Sequence, residues 1–274
     1  MKKVKMALIY DFDKTLSPKD MQEFHIIKRF GYDDPNMFWQ KCGEISKKHN
    51  MDGILSYMLM MAKEDPNMTQ ASLREEGSYI KLFKGVETWF KRINEYAFKK
   101  DIIIEHYIIS SGLKDIIKGT TIANEFKKIY ACSYYFDENG YAKWPSRVIN
   151  YTTKTQYIFR INKGVLDETN DTDLNKSTPD EDKYIPYNRM IYFGDGLTDV
   201  PSMKVVAGFG GNTIAVYKDS TKDKSAKILA EELFENKRAT FMAKADYSEG
   251  SKIDKIVKGI IDAIHSDLKL DDYR

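Results

Sequence analysis

The chain of 274 residues is long enough for one large domain, or for a domain that carries a smaller insert. Its 43 basic and 41 acidic residues nearly balance, which gives no general reason to expect nucleic acid or an acidic membrane surface as a partner. Two cysteines are too few for a disulfide framework, and the apolar stretch after the basic N-terminus is too short for a signal peptide or a membrane span. We therefore expect a cytoplasmic protein, a monomer or homodimer, with neither nucleic acid nor membrane as partner.

Short apolar segments alternate along the chain with segments of helical periodicity. The apolar segments predict strands over 4–10, 102–109, 129–136, 190–193 and 213–217. Helical spacing predicts helices over 85–98, 152–162 and 253–264, and a helical insert from 21 to about 83. Asn139-Gly140 predicts a hairpin turn with positive φ angles, and the polar segment 169–183 an exposed loop. This alternation predicts a doubly wound α/β fold with a mostly parallel sheet.

Three of the predicted strands end in polar, reactive sequences. These ends are 11–15, 110–112 and 194–199. The carboxyl ends of parallel strands meet at one edge of a sheet, and ligands bind there, so we expect the three ends to form one site.

Carboxylates dominate two of these ends. Asp11 and Asp13 are costly to hold so close, because like charges oppose each other's ionisation, and such a pair indicates a metal or a reaction that uses it. Asp11 can act as a nucleophile or a metal ligand, whereas Asp13 points elsewhere and can exchange a proton with a leaving group. Asp195 adds a third carboxylate, enough to hold a hard, oxygen-seeking cation.

The remaining polar groups suit an anion. Ser110, with the backbone amides of Ser111 and Gly112 at a predicted helix start, would form a phosphate-binding seat. A lysine is needed to offset the crowded negative charge, and Lys154 at the start of its helix is the best candidate. Lys163 is the alternative, although a lysine near a helix end is favoured anyway.

The order and separation of these motifs are similar to those of one enzyme family. The matching residues are Asp-x-Asp-x-Thr at Asp11, Asp13 and Thr15, then Ser110 after an apolar strand, Lys154, and Gly194-Asp195-Gly196-Leu197-Thr198-Asp199. In these the chain resembles the haloacid dehalogenase superfamily of hydrolases, and within it the phosphoserine-phosphatase-like branch. The resemblance implies a Rossmann-like catalytic core of residues 1–16 and 84–274, with a small helical cap of residues 17–83 inserted after the first motif.

The resemblance also implies a mechanism of phosphate ester hydrolysis. Asp11 attacks phosphorus and becomes an aspartyl phosphate. Asp13 protonates the leaving alcohol and then activates water for the second step. Thr15 helps to orient this loop, while Ser110 and Lys154 hold phosphate oxygens.

A magnesium ion is implied as the cofactor. Its ligands would be the side chains of Asp11 and Asp195 and the backbone carbonyl of Asp13. Asp199 would orient a metal-bound water or Lys154.

Specificity is less clearly encoded. Asp20 takes the place of the acidic cap residue that pairs with the substrate ammonium in phosphoserine phosphatases, but it is one methylene shorter than glutamate. For the cap arginine that would hold a substrate carboxylate, Arg29 and Arg74 are only candidates. The aromatic and methionine cluster at 38–61 is expected to form cap core, with part of it lining a pocket. The histidines are expected to be structural: His25, His49, His106 and His265.

We therefore expect a magnesium-dependent phosphatase acting on a small phosphorylated metabolite through an aspartyl-phosphate intermediate, with phosphoserine itself undecided. Two alternatives stay open at this point. One is a phosphotransferase or phosphonate-cleaving relative that uses the same aspartate. The other is a catalytically silent ligand-binding protein with the same fold.

Overall fold

One seven-stranded sheet organises residues 3–271, the part of the chain that the computed structural model describes. Its strands are β1 Val4–Tyr10, β2 Ile102–Leu113, β3 Lys128–Phe136, β4 Ala142–Arg147, β5 Met190–Gly194, β6 Asn212–Tyr217 and β7 Phe241–Lys244. They lie in the order β4-β3-β2-β1-β5-β6-β7, and every pair is parallel except β3 with β4. The predicted doubly wound, mostly parallel sheet is confirmed.

Helices flank this sheet. They are α1 Ile26–Arg29, α2 Pro35–His49, α3 Gly53–Glu64, α4 Gln70–Glu76, α5 Val86–Phe98, α6 Lys114–Lys118, α7 Lys154–Lys163, α8 Asp171–Asn175, α9 Val200–Gly208, α10 Ser225–Glu235 and α11 Lys252–Asp271. The helix α5 packs against α11, and α7 packs against α9. Helices α1 to α4 come between β1 and α5, where the sequence predicts a helical insert.

Strand β1 lies at the centre of the sheet. Its last five residues, Met6 to Tyr10, are fully buried, as expected for a strand covered on both faces. Tyr10 pairs with Ile108 of β2 on one side and with Phe193 of β5 on the other. The chain that leaves β1 therefore emerges between the ends of β2 and β5.

The chain passes into the helical segment and back at one point. The backbone N–H of Phe83 donates to the carbonyl of Leu16 at 2.9 Å. Tyr247 holds both passages, since its hydroxyl donates to the carbonyl of Thr15 at 2.9 Å and its N–H to the carbonyl of Lys84 at 2.8 Å. The predicted boundaries of the insert, 17 and 83, stay a prediction.

Two local predictions are wrong. Strand β2 continues to Leu113, which pairs with Cys132 across a register shift, so Ser111 and Gly112 are strand residues and not a helix start. In the hairpin turn only Gly140 has a positive φ, +79°, because the Asp137 carboxylate accepts the amide of Asn139 and fixes a different turn.

The segment 169–183 is more ordered than a plain loop. It holds α8 and a 3₁₀ turn at Asp180–Asp182. The buried Arg160 guanidinium donates to the carbonyls of Asp167 and Asn170, at 2.7 and 3.2 Å, and to the Asp171 carboxylate. The structure also contains four elements that the sequence analysis did not predict. They are strands β4 and β7 and helices α9 and α10.

A chain of hydrogen bonds crosses the core below the end of β1. The indole N–H of Trp89 donates to the Tyr10 hydroxyl at 2.8 Å, and that hydroxyl lies 3.1 Å from His106 Nδ1. His106 Nε2 lies 2.9 Å from Asn94 Oδ1. Because the Asn94 oxygen can only accept, neutral His106 carries its proton on Nε2, and its Nδ1 accepts from the Tyr10 hydroxyl. Burial lowers the pKa of His106 to about 3.

Acid should therefore destabilise the fold through His106. An unfolded histidine binds a proton below about pH 6.5, whereas the folded one stays neutral, so stability falls as the pH drops from about 6.5 toward 3. Urea unfolding of His106→Gln should show a pH slope shallower than that of the unmodified protein by up to about 1.4 kcal/mol per pH unit. His49→Gln, at an exposed site, should keep the original slope, and equal slopes for all three proteins would contradict the assignment.

Candidate active site

A buried lysine joins two of the predicted strand ends. Lys154 begins α7, and its Nζ lies 3.1 Å from Asp11 Oδ1 and 2.8 Å from Asp199 Oδ1. Asp11 itself is fixed beside β5, because its N–H donates to the carbonyl of Phe193 at 2.9 Å. Burial would lower the pKa of Lys154, but the charges of Asp11 and Asp199 outweigh burial and hold it well above its ordinary value. Lys154 is therefore a permanent cation.

Asp199 is saturated with hydrogen bonds. One carboxylate oxygen accepts from Lys154 and, at 2.7 Å, from the Tyr192 hydroxyl. The other lies 3.2 and 3.4 Å from the backbone nitrogens of Asp195 and Gly196. A Cβ on Gly194 would lie 2.4 Å from the carboxyl carbon of Asp199, so only glycine fits there. Asp199 thus holds the loop after β5 in place and fixes Lys154.

Three carboxylates crowd together at this edge. Oxygens of Asp11, Asp195 and Asp199 all lie within 4.8 Å of one another. Burial raises the pKa of Asp11 to about 6, against the lowering effect of Lys154. Burial, and then the charges of Asp199 and Asp11, raise the pKa of Asp195 well above its usual range. Ionisation of the cluster is unfavourable unless another cation is present.

An oxygen-only donor set of this kind suits a hard divalent cation such as Mg²⁺. Each carboxylate oxygen of Asp199 already accepts two hydrogen bonds. Asp11 and Asp195 are therefore the carboxylates of this cluster whose oxygen atoms are available to a cation. The residues therefore fit a magnesium site in which Asp11 and Asp195 would bind the ion, while Asp199 holds Lys154 and the loop after β5.

Asp13 faces away from this cluster. Its Oδ1 accepts the backbone N–H of Met21 at 2.8 Å, and a Cβ on Gly112 would lie 2.9 Å from its Oδ2. Burial, and then the charges of Asp20 and Asp11, raise the pKa of Asp13 well above its usual range. A carboxyl group held neutral in this way can donate a proton.

A cavity of about 200 Å³ opens beside Asp13, between the helical segment and the sheet edge. Its lining residues are Asp13, Asp20, Gln22, Trp39, Ile54, Tyr57, Ser111 and Gly112. Four of these, Asp13, Asp20, Ser111 and Gly112, are sequence-predicted site residues that the fold brings together. Trp39, Ile54 and Tyr57 belong to the cluster expected to line a pocket in part.

Other predicted residues lie outside the cavity. Ser110 is buried, and its Oγ accepts the N–H of Gly112 at 3.0 Å. This bond fixes the backbone at the end of β2. Thr15 is fully buried, and its Oγ1 has no hydrogen-bond partner within residues 3–271. The predicted role of Ser110 in holding phosphate and that of Thr15 in orienting the loop stay predictions.

The alternative cations are engaged elsewhere. Arg29 contacts Glu76 at 3.1 Å and Asp65 at 2.9 Å. Arg74 lies 3.6 Å from Asp115 and lines a different cavity. The Lys163 ammonium donates to the carbonyls of Leu174 and Lys176, both at 2.6 Å, so it is not the site lysine.

Sequence reasoning missed Gln22 and Tyr192. Tyr192 reads as one more apolar residue of a strand, and nothing in the pattern marks its hydroxyl as the donor to Asp199. Gln22 belongs to the 3₁₀ turn Met21–Glu23, whose contact with the sheet edge depends on how the helical segment packs. No local signal identifies either residue.

Comparison with known sequences finds one relative of similar length. No family model matches the chain. The chain is 28% identical over 279 residues to an uncharacterized protein of Borreliella burgdorferi. The alignment covers 90% of this chain and 93% of that protein. Within residues 3–271, no helix has the length and apolar character needed to cross a membrane.

Solved structures share the fold. A HAD family hydrolase from Salmonella enterica serovar Typhi superposes with a TM-score of 0.59 and 14% identity, over 90% of this chain and 72% of that one. An apo phosphoserine phosphatase gives 0.55 and 14%, over 87% and 92% of the two chains. A phosphoserine phosphatase with an analogue of its phospho-aspartyl intermediate gives 0.54 and 14%, over 93% and 99%. The chain thus has the fold of HAD hydrolases and phosphoserine phosphatases.

The crowded carboxylates predict an effect on stability. Folding raises the pKa of Asp195. This residue therefore destabilises the folded protein at every pH above its pKa in the unfolded chain. At pH 8 without metal, Asp195→Asn should raise the melting temperature by a few degrees. Mg²⁺ should stabilise the unmodified protein and should stabilise the variant much less.

Asp219→Asn is the matched control, because Asp219 is exposed and its ion pair within residues 3–271 is the one with Lys244 at the surface. Its melting temperature and Mg²⁺ response should equal those of the unmodified protein. A metal-free Asp195→Asn protein that melts lower, or that gains full Mg²⁺ stabilisation, would reject the site.

Proposed function

We propose that this protein is a phosphatase of the haloacid dehalogenase type, dependent on magnesium, that hydrolyses a small phosphate monoester through an aspartyl-phosphate intermediate. One observation carries the proposal: Asp11 lies 3.1 Å from a buried lysine and within the acidic cluster, while Asp13 lines the adjacent cavity. The shared fold of HAD hydrolases and phosphoserine phosphatases supports it. When bound by Asp11, Asp195 and the backbone carbonyl of Asp13, Mg²⁺ would neutralise negative charge on the phosphate and the carboxylates.

The first step transfers the phosphoryl group to the protein. A carboxylate oxygen of Asp11 attacks phosphorus, and the bond from phosphorus to the ester oxygen breaks. Asp13, kept protonated by its buried position, gives its proton to the departing alcohol. The products are an alcohol, the phosphorylated Asp11 and a charged Asp13.

The second step restores the protein. Asp13, now a carboxylate, accepts a proton from water as the water oxygen attacks phosphorus, and the bond from phosphorus to Asp11 breaks. Inorganic phosphate leaves, Asp11 is again a carboxylate and Asp13 is again protonated. Lys154 stabilises the negative charge on phosphate in both steps, since its ammonium lies 3.1 Å from Asp11 Oδ1, beside the residue that carries the phosphoryl group.

The cavity next to Asp13 would hold the leaving alcohol. Ser111 and Gly112 line it from the sheet side, and their strand conformation presents backbone to the phosphate in place of the expected helix start. Tyr57 fixes this backbone, because its hydroxyl donates to the carbonyl of Ser111 at 2.7 Å. The helical segment therefore covers the site and limits the access of water.

Asp11→Asn should abolish hydrolysis of p-nitrophenyl phosphate. An amide cannot form the acyl phosphate, so kcat/KM should fall by at least about 10³-fold in the presence of Mg²⁺. Asp33→Asn, a change of the same kind at an exposed site, should retain full activity. Activity that survives in the Asp11 variant would remove Asp11 as the nucleophile.

Asp13→Asn should separate the two steps. p-Nitrophenol leaves without help from an acid, so Asp11 should still be phosphorylated, but the water of the second step would lack its base. We expect a burst of about one equivalent of p-nitrophenol followed by turnover slowed about 10²- to 10⁴-fold. Stopped-flow absorbance measures this, and Asp11→Asn should show no burst. Unchanged steady-state turnover would exclude Asp13 from proton transfer.

A further inference from the structure

Gln22 lines the cavity beside Asp13 and carries a buried side-chain oxygen that lacks a partner among residues 3–271. The side chain is 2% exposed, and the oxygen without a hydrogen-bond donor is Oε1. Buried polar atoms without partners are rare in folded proteins, because the lost hydrogen bonds to water are not replaced. A ligand with an N–H or O–H donor would complete this site.

The charge of the cavity selects among donors. Asp20 lines it, and the Glu23 carboxylate accepts the indole N–H of the lining residue Trp39 at 2.9 Å. Lys14 pairs with Asp20 Oδ2 at 2.7 Å but does not line the cavity. Among the described lining residues there is no lysine or arginine, so the cavity favours a cationic donor over a neutral one.

Aromatic faces complete the surroundings. The rings of Trp39 and Tyr57 lie 6.0 Å apart at an angle of 76°, and both line the cavity. The Tyr57 hydroxyl is already bound to the carbonyl of Ser111, so the tyrosine offers its ring rather than its polar end. Aromatic faces attract a positively charged group.

A carboxylate on the ligand has no partner here. Arg29 is bound by Glu76 and Asp65, and Arg74 lies in another cavity beside Asp115. A carboxylate in the cavity would instead lie near the Asp20 carboxylate, and the Lys14 ammonium that pairs with Asp20 does not line the cavity.

From this geometry we infer that the leaving alcohol carries a protonated primary amine and no carboxylate, so that the substrates are phosphate monoesters of small amino alcohols. Gln22 Oε1 and Asp20 accept the ammonium hydrogens, and the rings of Trp39 and Tyr57 line the same cavity. The volume of about 200 Å³ restricts the alcohol to a few heavy atoms. This inference rests on the proposed function and names its substrate class.

Three substrates test the inference on the unmodified protein with Mg²⁺. 2-Aminoethyl phosphate and propyl phosphate differ by the ammonium, and phosphoserine adds a carboxylate to the first. We expect kcat/KM for 2-aminoethyl phosphate to exceed that for each of the others by about tenfold or more. A propyl phosphate or phosphoserine that is turned over as well or better would overturn the inference, while hydrolysis itself would still support a phosphatase.

Gln22→Met tests the acceptor with a side chain of similar size. The ratio of kcat/KM for 2-aminoethyl phosphate to that for propyl phosphate should fall about tenfold, because methionine cannot accept the ammonium hydrogens well. Gln40→Met makes the same change at an exposed site on α2 and should keep the original ratio. An unchanged ratio in the Gln22 variant would remove Gln22 from recognition, and the comparison of substrates does not depend on the variant folding.

Binding to Asp11→Asn separates this inference from the proposed function. Calorimetric titration with Mg²⁺ present should give a Kd for 2-aminoethyl phosphate about tenfold lower than for propyl phosphate. If that preference is measured but the unmodified protein hydrolyses neither ester nor p-nitrophenyl phosphate, the phosphatase proposal fails and the recognition of an ammonium stands. Equal Kd values, with hydrolysis observed, overturn the recognition alone.

Discussion

The buried ammonium of Lys154 is the interaction on which the candidate site depends. Removing a charge from water is costly, and here the cost is offset only because Asp11 and Asp199 both lie within about 3 Å of the same nitrogen. Those contacts join the end of β1, the loop after β5 and the first turn of α7. These ion pairs fix the relative positions of the three elements, since moving any one of them would separate a buried charge from a partner.

Asp11 and Asp13 are two residues apart in sequence but lie in different environments. Asp11 contacts the lysine and the acidic cluster, whereas Asp13 accepts a backbone N–H from Met21 and lines the cavity under the helical segment. A nucleophile benefits from nearby positive charge, and a general acid benefits from an apolar, negatively charged environment that keeps it protonated. In the proposed function one short stretch of chain supplies both, because the side chains of Asp11 and Asp13 leave the sheet edge toward different partners.

The sequence predicts those parts of the site that have local signals. Apolar runs that end in polar residues mark β1 and β5, and a lysine at the start of a helical pattern marks Lys154. The four-residue β7 is too short for its periodicity to be recognised, and Pro145 hides β4, since proline is uncommon in strands. The sequence predicts a pocket lined by part of the cluster at 38–61, but not the contact of that pocket with Asp13. Gln22 and Trp39 meet Asp13 only through the packing of the helical segment on the sheet, which no local pattern encodes.

Strand β1 has consequences for how the protein is made. Its partners are distant in sequence, since Val4 pairs with Ile102 and Ala7 pairs with Met190. During synthesis β1 leaves the ribosome long before β5 exists, and non-local pairing of this kind is slow to form. Asp11 therefore acquires Lys154 and Asp195 only when most of the chain has been translated. A nascent or truncated chain holds the aspartate without its partners, so the candidate site forms only together with the completed sheet.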